Sequence, residues 1–136
     1  METTKKEELI IVKSVRDGKY NLIDANGKLL SEQWFNWVGT FHDGFVIVER
    51  GDSKYNFIDK QGKILLDEWF EWIGVFYDGF ARVKRFDGSM NFINKELKII
   101  SDEWFSYVDY FDEYGLAGVQ RSNGEQAKID KNGKIS

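Results

Sequence analysis

Apolar positions in this chain fall into runs of four or five residues, separated by polar turns that carry glycine. Leu9-Ile10-Ile11-Val12-Lys13-Ser14-Val15 is rich in β-branched residues and reads as a strand. Arg16-Asp17-Gly18-Lys19 supplies the Asp-Gly hairpin signal, and Tyr20-Asn21-Leu22-Ile23-Asp24 reads as the returning strand. Asp24-Ala25-Asn26-Gly27 closes it, with Asp suited to the first position of a type I turn and Gly to the left-handed residue after it. Lys28-Leu29-Leu30 predicts a short third strand.

The order returns from Phe45-Val46-Ile47-Val48-Glu49 through Tyr55-Asn56-Phe57-Ile58-Asp59 to Ile64-Leu65-Leu66. It returns again from Phe80-Ala81-Arg82-Val83-Lys84 through Met90-Asn91-Phe92-Ile93-Asn94 to Ile99-Ile100. A fourth copy runs from Leu116 to Ser136. Aromatic links join the copies at Trp34–Gly44, Trp69–Gly79 and Trp104–Gly115. Each predicts a turn near the Trp and then a strand such as Trp72-Ile73-Gly74-Val75-Phe76. The capping-type residue ahead of each Trp also allows a helix of one or two turns from Ser31, Leu66 or Ser101. In the third link Asp109 replaces the glycine of Gly39 and Gly74, and Glu113-Tyr114 adds one residue.

Trp34, Trp69 and Trp104 are spaced 69 − 34 = 35 and 104 − 69 = 35 residues apart. Such a period marks a repeat architecture in which each unit buries its apolar face against its neighbours. The expected fold is all-β: tandem 35-residue repeats of antiparallel β-hairpins stacked through aromatic links. Residues 1–8 are expected to fray. Residues 9–136 form one repeat domain of units 9–44, 45–79, 80–115 and 116–136. The stack is expected to have two terminal faces whose strand edges favour self-association.

Composition narrows the chemistry. The chain has 136 residues, enough to bury a core, and neither cysteine nor proline. Disulfides, thiolate metal sites and thiol nucleophiles are excluded. The charged N-terminal stretch is not expected to act as a signal peptide, no apolar run reaches the ~18 residues that span a bilayer, and a cytoplasmic location is expected. The net charge of −4, with acids and bases intermixed, argues against binding to nucleic acid duplexes. Aromatic residues make up 16% of the chain and recur at repeat positions, so packing between units is their first explanation and a stacking platform for sugars or bases the second. The acidic pairs Asp67-Glu68 and Asp102-Glu103, with Glu32-Gln33 in the first copy, cap turns or face solvent more simply than they form an acid–base pair. Asp24, Asp59, Asn94 and Asp130 occupy equivalent turns, where Asn serves as well as Asp because the task is local hydrogen bonding.

Residues that break the repeat point to a ligand more than residues that keep it. Arg82, Tyr107, Tyr110, Tyr114 and His42 are singular; Arg85 and Arg121 belong to a recurring set with Arg50. Together Arg82, Arg85, Arg121, Tyr107, Tyr110, Tyr114 and His42 are the candidate ligand-binding residues, because arginine forks beside aromatic rings recognise phosphate or carboxylate. No residues are assigned to catalysis or metal binding, and no cofactor is called for.

The segments Lys54-Tyr55-Asn56-Phe57-Ile58-Asp59-Lys60-Gln61-Gly62-Lys63-Ile64, Trp69-Phe70-Glu71-Trp72 and Phe76-Tyr77-Asp78-Gly79-Phe80-Ala81-Arg82-Val83-Lys84 make the chain resemble the WG-repeat family over about residues 9–136. The resemblance implies a β-rich repeat module of bacteria and phages, without catalytic residues. The family's Trp-Gly pair is Tyr20-Asn21, Tyr55-Asn56, Met90-Asn91 and Gln126-Ala127 here, and its proline-containing segment is replaced by residues such as Asp67-Glu68-Trp69-Phe70. The expected function is a non-enzymatic binding module for a protein partner or for self-assembly. The alternative is a protein that binds or sequesters a small anionic ligand, nucleotide-like or sugar, through aromatic and Arg side chains.

Overall fold

The computed structural model describes residues 9–41 and 43–136. Residues 1–8, expected to fray, and His42, a candidate ligand contact, lie outside the described residues. The described chain is built entirely of strands and turns in two compact units, one ending at Glu68 and one starting at Trp69.

The first unit holds β1 (Ile10–Lys13), β2 (Tyr20–Ile23), β3 (Trp37–Val38), β4 (Phe45–Glu49) and β5 (Tyr55–Asp59). The second holds β6 (Trp72–Ile73), β7 (Phe80–Lys84), β8 (Met90–Asn94), β9 (Tyr107–Val108), β10 (Leu116–Gln120) and β11 (Gln126–Asp130). All pairing is antiparallel. β1 pairs with β2, and three sheets have the orders β3-β4-β5, β6-β7-β8 and β9-β10-β11. The hairpins share one register, as in Phe45↔Asp59, Phe80↔Asn94 and Leu116↔Asp130. The repeat read from the residues is therefore a repeat in space.

The short strand of each link joins the hairpin that follows, with Trp37 opposite Glu49, Trp72 opposite Lys84 and Tyr107 opposite Gln120. Two residues earlier the link is tied to the hairpin it leaves. Phe35 exchanges both backbone hydrogen bonds with Tyr20, and Phe105 does the same with Met90. A link is thus stitched backwards and forwards within four residues.

A buried amide fixes the bend between. Asn21, Asn56 and Asn91 have no solvent exposure. Each side-chain amide donates to two carbonyls of the following link, Ser31 and Gln33, Leu66 and Glu68, or Ser101 and Glu103. Each Oδ1 accepts the N–H of the next residue, at 2.7–2.8 Å. Asparagine is a poor strand former, but here its side chain satisfies polar backbone that the core would otherwise leave orphaned.

Three expectations differ in detail. The third strand of each copy shrinks to a single bridge, Ile23↔Leu29, Ile58↔Ile64, Ile93↔Ile99 and Ile129↔Ile135, and in the first three copies the chain turns into the link immediately afterwards. No helix forms at Ser31, Leu66 or Ser101. Ser31 and Ser101 instead accept the N–H two residues on, which closes a bend, and the Asn amides claim the carbonyls that a helix would have used. The strand expected over Trp72–Phe76 is limited to Trp72–Ile73, although Gly74 still donates to the Arg82 carbonyl.

The indoles pack as expected in part, with Trp104 stacked on Phe70 of the preceding link at 6.2 Å between ring centroids, but the most deeply buried rings are the neighbouring phenylalanines. Phe35, Phe70 and Phe105 are 0–2% exposed, whereas Trp34, Trp69 and Trp104 are incompletely buried. In the second unit Phe105 belongs to one cluster with Phe92, Val108, Phe111, Val119 and Ile129. Burying one such ring contributes about 1.5–3 kcal/mol.

The Asx turns form as expected: Asp24, Asp59, Asn94 and Asp130 each accept two backbone N–H groups through Oδ1. Gly62 and Gly133 do more than supply a positive φ. A Cβ on either would overlap a backbone carbonyl of the preceding copy, that of Leu30 or Ile100.

Candidate functional site

Strand alternation sends Ala81 and Val83 into the core, and leaves Phe80, Arg82 and Lys84 on the other face of β7. The equivalents of Arg82 are Ile47 in β4 and Gly118 in β10, so this cation appears in one copy alone among β4, β7 and β10. Its guanidinium carbon stands 4.1 Å from the centroid of Tyr110 and 5.6 Å from that of Trp72. Both distances are within cation–π range. Nη1 donates to the Val108 carbonyl at 3.2 Å and lies 3.5 Å from the Tyr107 hydroxyl. Tyr110 is singular too, standing where earlier links have Thr40 and Val75. Two residues that each break the repeat are therefore in contact.

The aromatic surface continues. Tyr77 meets Tyr110 edge-on with centroids 5.3 Å apart. Trp72, Tyr107 and Tyr110 are 37%, 48% and 47% exposed. Beside them a groove of about 750 Å³ is lined by Glu71, Trp72, Arg82, Lys84, Gly88, Met90, Ser106 and Tyr107. Lys84 pairs with Glu71 at 3.6 Å, which leaves Arg82 as the groove's uncompensated charge.

The pose of Trp72 is set by the backbone. Its indole folds over Gly74, where a Cβ would lie 2.8 Å from Cη2; Trp37 folds over Gly39 in the same way. The third link has the shorter Tyr107 in place of Trp and tolerates Asp109 in place of glycine.

Of the candidate residues, the structure brings Arg82, Tyr107 and Tyr110 together. Arg85 lies 3.7 Å from the centroid of Trp104. Arg121 is neutralised by Glu103, with Nε 3.0 Å from Oε2 and Nη2 donating to Oε1 at 3.2 Å. Tyr114 is 80% exposed in the 112–115 turn, and no described contact joins it to Arg82. Asp112 in that turn accepts the N–H groups of Leu116 and Tyr114, the first chiefly holding its carboxyl below the usual range. Tyr77 and Lys84 were not singled out by the residue pattern, and Trp72 was read as part of the repeating aromatic ladder, for packing first and as a stacking platform second. Tyr77 had a signal, since it stands where His42 and Asp112 stand in the other links. Among the described residues, no three His, Cys, Asp or Glu side chains cluster as metal ligands, and no helix is long and apolar enough to cross a membrane.

Among solved structures the chain is similar to KlHsv2 with loop 6CD replaced by a Gly-Ser linker, at 10% identity and a TM-score of 0.49, covering 96% of this chain and 49% of that one. It is similar to BamB from Moraxella catarrhalis, at 10% identity and a TM-score of 0.43, over 93% and 47%. It is also similar to the computationally designed Ika8 protein, at 14% identity and a TM-score of 0.43, over 97% and 46%. The chain spans about half the length of these three structures. No curated protein matches it. Residues 57–88 match the model of the WG containing repeat, a segment that includes β7 and the start of the Arg82 site.

Proposed function

We propose that the chain is a non-enzymatic repeat-type binding module that engages a protein partner through the Trp72–Arg82–Tyr107–Tyr110 surface. The observation that carries this reading is an arginine held against exposed aromatic rings on a rigid β scaffold. Trp, Tyr and Arg are the residues most enriched among interface hot spots, and a side chain already fixed costs little entropy to bind. The test is cross-linking in an extract of the host, comparing the wild-type chain with a Trp72→Ala/Arg82→Gln variant that retains its fold. A partner captured by the wild type and absent from the variant is the expected result. A partner retained by the variant overturns the reading.

A second reading is a protein that sequesters a small anionic ligand. It is favoured by the size of the groove, since about 300–1,000 Å³ is usual for small-molecule sites. A nucleotide or sugar phosphate that raises Tm by several degrees, an effect lost in Arg82→Gln, would select it.

A further inference from the structure

The cations of the two units differ in how they are compensated. Arg50 has Asp52 at 3.0 Å, Arg121 has Glu103, Lys131 has Asp78 at 2.8 Å and Lys84 has Glu71. Arg82 has no carboxylate within ion-pair reach among the described residues. Its partners are two aromatic rings, a carbonyl and a phenol, which hold the guanidinium plane in place without cancelling its charge. Nη1 is engaged, so Nε and Nη2 remain to meet a planar, two-oxygen acceptor.

We propose, building on the binding-module reading, that this groove takes an acidic side chain, Asp or Glu, from an extended segment of another protein. The carboxylate pairs with Arg82, and apolar neighbours two residues away on the segment pack on Trp72 and Tyr107. Three features commit the site to this occupant. The charge left open is positive and bidentate. The aromatic surface runs past the groove to Tyr110 and Tyr77, so apolar residues flanking the acidic one have rings to pack on. The chain carries a net charge of −4, so attraction for an acidic segment is confined to the groove, where Arg82 is the uncompensated cation.

The test uses the full chain and two pools of fluorescein-labelled, capped hexapeptides, identical except that one has Glu and the other Gln between β-branched or aromatic neighbours. Binding is read by fluorescence anisotropy. The Glu pool is expected to bind at least ~10-fold more tightly than the Gln pool, the difference shrinking as salt is raised. Arg82→Lys, which keeps the charge and loses the fork, should abolish most of the preference, and Trp72→Leu should weaken both pools. Equal binding of the Glu and Gln pools overturns the inference, while the cross-linking result decides the binding-module reading separately. Competition of the Glu pool by millimolar AMP or inorganic phosphate, or Arg82-dependent dimerisation in sedimentation at the same concentrations, also overturns it, in favour of a small anion or a second copy.

Discussion

At the scale of the residue, the asparagines are the positions on which stability turns. Asn91 is buried and makes three hydrogen bonds, two to carbonyls of the third link. Replacing it by Ala leaves buried carbonyls without a donor, and about 3 kcal/mol should be lost in urea unfolding. A loss below 1 kcal/mol would show that water replaces the amide. Glycines at equivalent turns should differ among themselves. Gly27 has open space beside it and φ of 79°, so Gly27→Ala should cost only the left-handed penalty of about 1–2 kcal/mol. Gly133→Ala adds overlap with the Ile100 carbonyl and should cost clearly more, by the same measurement. Gly74→Ala should displace the Trp72 indole at smaller cost, seen as a change in near-UV dichroism and a weaker Arg82 contact. The spacing of Asn21, Asn56 and Asn91 was visible in the residues, since an asparagine recurring inside a strand pattern contradicts propensity three times over. What it bonds to was not, because the carbonyls lie ten and twelve residues downstream in a segment without regular structure.

At the scale of the element, the hairpins were legible because apolar alternation and Asp-Gly or Asn-Gly turns act over a few residues. The links were less so. Their Trp residues drew attention by size, yet the ring that fills the core is the following Phe, and sequence spacing alone does not say which of two adjacent aromatic residues points inward. Phe105→Ala should therefore cost about 3–5 kcal/mol, the usual price of emptying a core aromatic site. Tyr107→Ala, two residues on and half exposed, should cost under about 1 kcal/mol and should instead impair partner binding. Melting curves and the cross-linking assay together separate the two roles. The Arg82 site was partly legible. Arg82, Tyr107 and Tyr110 each break the repeat, and the fold brings these three together. Arg85 and Arg121 keep the repeat, and the structure places them against Trp104 and Glu103.

At the scale of the whole chain, turn carboxylates set the response to acid. Asp17 is held below the usual carboxylate range chiefly by the Lys19 N–H, Asp87 by the Ser89 hydroxyl, and Asp112 by the Leu116 N–H. A carboxyl whose folded value is depressed contributes stability above its unfolded value near 3.9, and loses that contribution as pH falls through the folded value. The urea midpoint should stay level from neutral pH to about 5 and then decline below about pH 4. A midpoint that rises in that range would contradict the assignment.

The extra residue at Glu113-Tyr114 sits in a turn that closes through Asp112 and Leu116, and the strands on either side keep the pairing of the preceding copy, Val108 opposite Val119 as Ile73 is opposite Val83. Chain length can therefore drift at this corner without disturbing the lattice of hydrogen bonds around it. A peptide tag grafted between Glu113 and Tyr114 would ride on the scaffold as a passenger, and successive copies of the gene segment are free to lengthen there first.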